Sequence, residues 1–124
     1  MRTIKKYSNR RLYDTVESRY VNLDELARLI RQGEQLQVLD AASEADLTRA
    51  VLLQVLLEDP DGALLFPTGL LHRIIRYGGE LPWQRTALRQ IGQAFELLDT
   101  QAQQVERVMG WPPKAPPPPA PPPP

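Results

Sequence analysis

Between residues 50 and 57 the chain reads Ala-Val-Leu-Leu-Gln-Val-Leu-Leu, with Gln54 its single polar member. At helical spacing the neighbourhood carries three apolar stripes: Leu47, Val51 and Val55; Ala50, Leu53 and Leu57; Leu52 and Leu56. A helix that is apolar nearly all round needs burial on several sides. We expect this helix over about 44–58, opened by Ser43-Glu44-Ala45-Asp46, whose acids suit the first turn. A domain ending near residue 60 has too few other elements to cover every stripe. One face, with Leu47, Val51 and Val55, is therefore expected to pack on a second copy of the chain. The alternative is cover from residues 64–78 of the same chain.

The segments around this helix are legible from their punctuation. Thr3–Tyr7, Leu12-Tyr13 and Arg19-Tyr20-Val21 read as short strands, with a turn at Ser8-Asn9-Arg10 where Asn tolerates positive φ. Asn22-Leu23-Asp24-Glu25 is a capping signature for a helix that Gly33 stops. Leu36–Leu39 is strand-like, and Asp59-Pro60-Asp61-Gly62 is a break. Thr68 is expected to cap a short helix ended by Gly78-Gly79. Pro82 suits the first turn of a longer helix over about 82–109. Along that helix Leu88, Ile91, Phe95, Leu98, Ala102, Val105 and Met109 step by alternate threes and fours, a coiled-coil seam; a single helix lying on the rest of the fold is the alternative. Ten of the 13 prolines fall in residues 112–124, which predicts a disordered or polyproline II tail.

Several function classes drop out. The chain has no Cys, which excludes a disulfide scaffold, a thiolate metal site and a Cys nucleophile. The lone His72 has no second His or Cys with which to share a metal, and the glycines form no phosphate loop. No apolar run is long enough to span a membrane, and none follows the N-terminus as in a secretory signal. No enzyme activity, metal or cofactor is expected, and the setting is expected to be cytoplasmic.

A net charge of zero conceals segregation. Residues 1–19 hold Arg2, Lys5, Lys6, Arg10, Arg11 and Arg19 against Asp14 and Glu17. Residues 20–66 hold three cations against nine acids. Because charges act over a Debye length of about 8–10 Å, the basic N-terminal block is a local field. In Lys5-Lys6-Tyr7-Ser8-Asn9-Arg10-Arg11-Leu12-Tyr13 the cations alternate with aromatic and amide groups. Lys and Arg supply phosphate contacts, Arg reads guanine in bidentate fashion, and Asn can do so for adenine. A two-stranded ribbon of residues 3–13 has the size to enter a major groove. A solvated basic hairpin without a ligand is the plainer reading of the same residues.

Ile4-Lys5-Lys6-Tyr7, Asn9-Arg10-Arg11-Leu12-Tyr13-Asp14-Thr15 and Ser18-Arg19-Tyr20 together resemble the DNA-binding domain of the polyhydroxyalkanoate (polyhydroxybutyrate) synthesis repressor family. Asp46-Leu47-Thr48-Arg49 followed by Val51-Leu52-Leu53-Gln54 is similar to it as well. The resemblance covers about residues 3–58, with Ser8 where the family pattern has Pro. Leu65-Phe66, Leu70-Leu71 and Arg73–Gly78 are similar to the family's next segment. The resemblance implies a transcriptional repressor of granule-associated genes that binds double-stranded DNA and is drawn off it by the polyester. Carried over residue by residue, it implies DNA contacts from Lys5, Lys6, Tyr7, Asn9, Arg10, Arg11, Tyr13 and Arg19.

The expected architecture is α+β. Residues 1–60 form a DNA-binding domain, 64–110 a helical oligomerisation and effector segment, and 111–124 a proline-rich tail. The partners expected are DNA, further copies of the chain through Leu47, Val51, Val55, Leu88, Ile91, Phe95, Leu98 and Val105, and the polyester granule surface. Two rival readings are a module that coats a hydrophobic surface and a coiled-coil adaptor that presents its proline tail, neither of which binds DNA.

Overall fold

A computed structural model describes residues 1–110 and Pro122; the expected proline-rich tail lies outside the described residues. Two compact units divide after Leu65. In the first, β1 (Arg2–Lys6), β2 (Leu12–Asp14), β3 (Arg19–Val21) and β4 (Leu36–Asp40) form one sheet in the order β3-β2-β1-β4. β1–β2 and β2–β3 are antiparallel, whereas β4 runs parallel to β1. A parallel pair needs a crossover, and α1 (Leu23–Arg31) lies within the connection that returns the chain to β1. Asn22 caps α1 by accepting from the Glu25 amide at 2.8 Å, and Gly33 follows at φ 97°.

Alternation along the strands sends Ile4, Leu12, Val21, Leu36 and Val38 to one face, where they close on Leu26 of α1 and Val51 of α2 (Thr48–Glu58). The other face carries the row Leu39–Lys5–Tyr13–Tyr20, one residue from each strand. The sequence therefore specifies a two-layer α+β unit, with both helices on one side of the sheet.

The packing of α2 revises the expectation for its stripes. Val51 is buried in the chain's own core, with Leu47 and Val55 packed against that core. Contrary to expectation, Val51 is taken up by the chain's own fold and cannot face a second copy, while Leu47 and Val55 are only partly buried. Leu53 and Leu57 are the exposed large apolar residues of the helix, 48% and 59% accessible. The helix also starts later than the sequence suggests, at Thr48 instead of near residue 44. Asp40 Oδ1 takes the amides of Ala42 and Ser43, and Glu44 is left-handed at φ 62°, so residues 41–47 are a loop. Asp46 then accepts from the Thr48 amide at 2.9 Å, and Thr48 Oγ1 accepts from the Val38 amide at 2.9 Å, tying the helix start to β4.

The break at residue 59 is immediately followed by a single helical turn, α3 (Pro60–Ala63), on which Asp59 accepts from the Asp61 amide. Gly62 is required there, since a Cβ would stand 2.5 Å from Leu56 O.

The second unit contains α4 (Thr68–Arg76) and α5 (Pro82–Met109). Thr68 is the first helical residue and not the cap, a position taken by Pro67. His72 Nδ1 donates to Thr68 O at 2.8 Å, a structural role within its own helix. α5 opens with Pro in its first turn and closes on left-handed Gly110, as the sequence leads one to expect; none of its residues is buried.

Candidate nucleic-acid interface

The β1–β2 connection is a compact hairpin turn. Arg10 N donates to Tyr7 O at 2.9 Å and Tyr7 N donates to Arg11 O at 3.0 Å. Arg10 sits at φ 65°. This is the pattern of a type I turn closed by a left-handed residue, a position that glycine usually fills. Asn9 Oδ1 accepts from the Arg11 amide at 3.1 Å, which stabilises the turn from within. Asn9 is thus a turn former whose carbonyl oxygen is already engaged, and this competes with bidentate reading of adenine.

Left-handed backbone costs a non-glycine residue about 1–2 kcal/mol. Arg10→Gly is therefore expected to raise the stability of the first unit by about 0.5–1 kcal/mol after the extra chain entropy of glycine, read from urea denaturation. The same change should weaken DNA binding, because it removes a cation. Arg10→Ala, which keeps the strain, should lose affinity without gaining stability.

The six cations of the N-terminal block separate into two sets. Arg2 Nη1 lies 2.6 Å from buried Asp14, and Arg2 Nε lies 3.3 Å from Glu34. Arg19 is held by Glu17 at 3.1 Å and by Glu25 at 2.7 Å. Arg2 is thus neutralised by acids 12 and 32 positions away, whereas the partners of Arg19 are its near neighbours Glu17 and Glu25. Lys5, Lys6, Arg10 and Arg11 make no salt bridge among the described residues, although Lys6 stands beside Asp40 in the sheet register. Asp40 is held below the ordinary carboxylate value by the Ser43 and Ala42 amides, and more weakly by the Lys6 charge.

Aromatic side chains brace this end of the sheet. Tyr7, Tyr13 and Tyr20 meet edge to face at centroid separations of 6.3, 6.4 and 5.4 Å. The Arg11 guanidinium lies 3.8 Å over the Tyr20 ring. Such a stack contributes roughly 0.5–1 kcal/mol at an exposed site; it restrains the guanidinium while leaving its N–H edges free to donate. An open groove of about 540 Å³ adjoins the turn, lined among others by Lys6, Arg10, Arg11, Tyr20, Asn22 and Gln54.

Of the residues expected to face DNA, Lys6, Arg10 and Arg11 converge on this groove. Lys5 and Tyr13 lie in one row with Tyr20 on the sheet face away from the core, Tyr7 opens the turn, and Arg19 is ion-paired. Tyr20 and Gln54 were not among the expected contacts. Gln54 had a signal, as the one polar residue in the apolar run, and Tyr20 had one as the strand neighbour of apolar Val21, which faces the opposite side. The ribbon picture also changes: β1 and β2 are the two central strands of the sheet, not a free hairpin. Three strand spacings of about 4.8 Å already span roughly 14 Å before side chains are added, against a major groove of about 12 Å. The whole sheet is too wide for a groove, whereas a hairpin turn such as Tyr7–Arg11 is narrow enough to enter one.

A small sheet backed by helices carries at one hairpin turn Arg10 and Arg11, neither of them in a salt bridge among the described residues, an arrangement suited to binding an anion such as a nucleic acid. The sequence profile of the PHB/PHA accumulation regulator DNA-binding domain matches residues 3–62. The chain belongs to this family, a family of DNA-binding regulators and not of enzymes. It is 44% identical over 110 residues to an uncharacterized protein of Allochromatium vinosum, covering 87% of this chain and 71% of that one. It is 41% identical over 111 residues to a protein of Thiocystis violacea described as uncharacterized and in the phbA 5' region, covering 88% and 79%. No solved structure matches the chain. Among the described residues no helix is long and apolar enough to cross a membrane.

Proposed function

We propose that the chain is a repressor of polyhydroxyalkanoate genes that binds duplex DNA through the Tyr7–Arg11 tip. The observation that carries this reading is the sorting of charge: Arg2 and Arg19 are neutralised within the fold, whereas Lys5, Lys6, Arg10 and Arg11 are left for an external anion. Arg10 and Arg11 enter the groove, where they bond phosphate oxygens or guanine edges, and Lys5 and Lys6 hold flanking phosphates. Tyr7 and Tyr13 support the tip, Asn9 fixes its shape, and Arg19 positions β3 against α1.

In this reading residues 1–60 bind DNA and residues 64–110 hold copies of the chain together through Leu88, Ile91, Phe95, Leu98 and Val105. Two linked tips bind far more tightly than one through effective concentration. Release by the polyester follows if apolar side chains such as Leu53, Leu57, Leu64 and Leu65, all exposed, prefer the polymer surface. Selection of bound duplexes from a random pool at two salt concentrations tests the first part. A recurrent motif with steep salt dependence is expected; an unenriched pool at low salt rejects DNA reading. Polyester granules added to the selected complex should free the DNA, and undiminished occupancy would reject release.

A further inference from the structure

α5 presents a seam of seven apolar residues with none of its 28 residues buried, and its charge is divided along its length. The half from Pro82 to Phe95 carries Arg85 and Arg89 and no acid. The half from Glu96 to Met109 carries Glu96, Asp99 and Glu106 against Arg107 alone. A parallel pair of such helices sets cations beside cations and acids beside acids; an antiparallel pair sets each half on its opposite.

We infer that the seam of α5, which no described residue buries, is covered by the α5 of a second copy running antiparallel. The inference rests on the reading of α5 as the self-association element and gives that element a partner and a direction. In coiled-coil packing, one antiparallel register places Leu88 opposite Val105, Ile91 opposite Ala102 and Phe95 opposite Leu98 of the second copy, each pair occurring twice. The positions flanking the seam then fall into complementary pairs. Arg85 meets Glu106, and small residues meet larger ones: Ala87 with Val108, Gly92 with Asp99, Ala94 with Gln101. The bulky centre at Phe95 and Leu98 lies at the dyad, and the less bulky Ala102 is matched by Ile91. In a parallel pair the flanking contacts are Ala87 with Gly92, Ala94 with Asp99 and Gln101 with Glu106, none of them attractive. At about 1.5 Å per residue, the antiparallel arrangement sets the two Pro82 ends roughly 43 Å apart along the rod.

The chain has no cysteine, so single spin labels can be placed uniquely in the full-length protein. Thr86→Cys and Thr100→Cys lie on the same outward heptad position, two heptads apart. The antiparallel pair separates the two Thr86 labels axially by about 32 Å and the two Thr100 labels by about 10 Å, so the first distance must exceed the second by more than 10 Å. Two equal distances mean a parallel pair, and the absence of dipolar coupling at both sites means no pair; either result overturns the inference. As a second measurement, Arg85→Glu should weaken the dimer about threefold to tenfold by sedimentation, and adding Glu106→Arg should restore it. No rescue counts against the register. DNA affinity of the same labelled proteins separates the two readings. Retained DNA binding without a dimer overturns the pairing alone, whereas antiparallel distances without DNA binding overturn the DNA reading alone.

Discussion

The double substitution Arg10→Ala plus Arg11→Ala is expected to lower affinity for duplex DNA by about a hundredfold, each guanidinium being worth about 1–3 kcal/mol if it makes a bidentate contact. It also flattens the slope of log affinity against log salt by roughly one to two units, because two phosphate-neutralising charges no longer displace counterions. The pair is singled out because both side chains stand on the hairpin tip, unpaired by acids, and because Arg11 is restrained by the Tyr20 ring. Arg2 and Arg19 are the internal controls. They belong to the same basic block in sequence, yet their ion pairs predict a stability loss on substitution and little change in salt slope. Isotherms for the double variant that overlay the parent's at two salt concentrations would reject the tip as the DNA-contacting element.

Asp14→Ala is expected to destabilise the first unit by about 3–5 kcal/mol, a large share of the stability of a domain this size. Asp14 is 1% exposed. It accepts from Arg2 at 2.6 Å and from the Val16 and Glu17 amides at 2.9 and 3.4 Å. Removing the carboxylate leaves a poorly exposed guanidinium without its closest partner and strips the β2–β3 turn of its acceptor. The same contacts set a pH dependence. Burial opposes ionisation of Asp14, but the amides and Arg2 outweigh it and hold the carboxyl below its ordinary value. A depressed carboxylate contributes stability that is fully present above its unfolded pKa of about 4 and is lost as pH falls through the folded value. Urea midpoints of the parent should therefore decline below about pH 4, and those of Asp14→Ala should decline less. Equal acid limbs would show that Asp14 is not the group responsible.

How far the chain could be read depends on the range of each interaction. Asn22 and Gly33 bound α1, and Pro82 and Gly110 bound α5, because caps act within a single turn and appear in the sequence as they act in space. The loop before α2 escaped the same reading. Ser43-Glu44-Ala45-Asp46 is a sound capping signature, but Asp40 captures the nearby amides first and shifts the helix start to Thr48. Among the α2 stripes, Val51 alone is buried, a choice fixed by the sheet beneath it and not by any difference in hydrophobicity along the helix.

The candidate site divides in the same way. That the N-terminal nineteen residues are basic, that Asn9 marks a turn and that Tyr alternates with cations were determined by the sequence alone, since composition and local turn chemistry do not depend on the rest of the chain. Which cations remain available was decided by the tertiary structure. Arg2 meets Glu34 across 32 positions, and only the parallel pairing of β1 with β4 brings them together. The same pairing makes β1 an inner strand, as pairing with β3 does for β2, and leaves their turn as the exposed basic end. The physical reason is one of range: caps and turns form between near neighbours, whereas charge neutralisation and burial follow from strand order, which no local segment encodes.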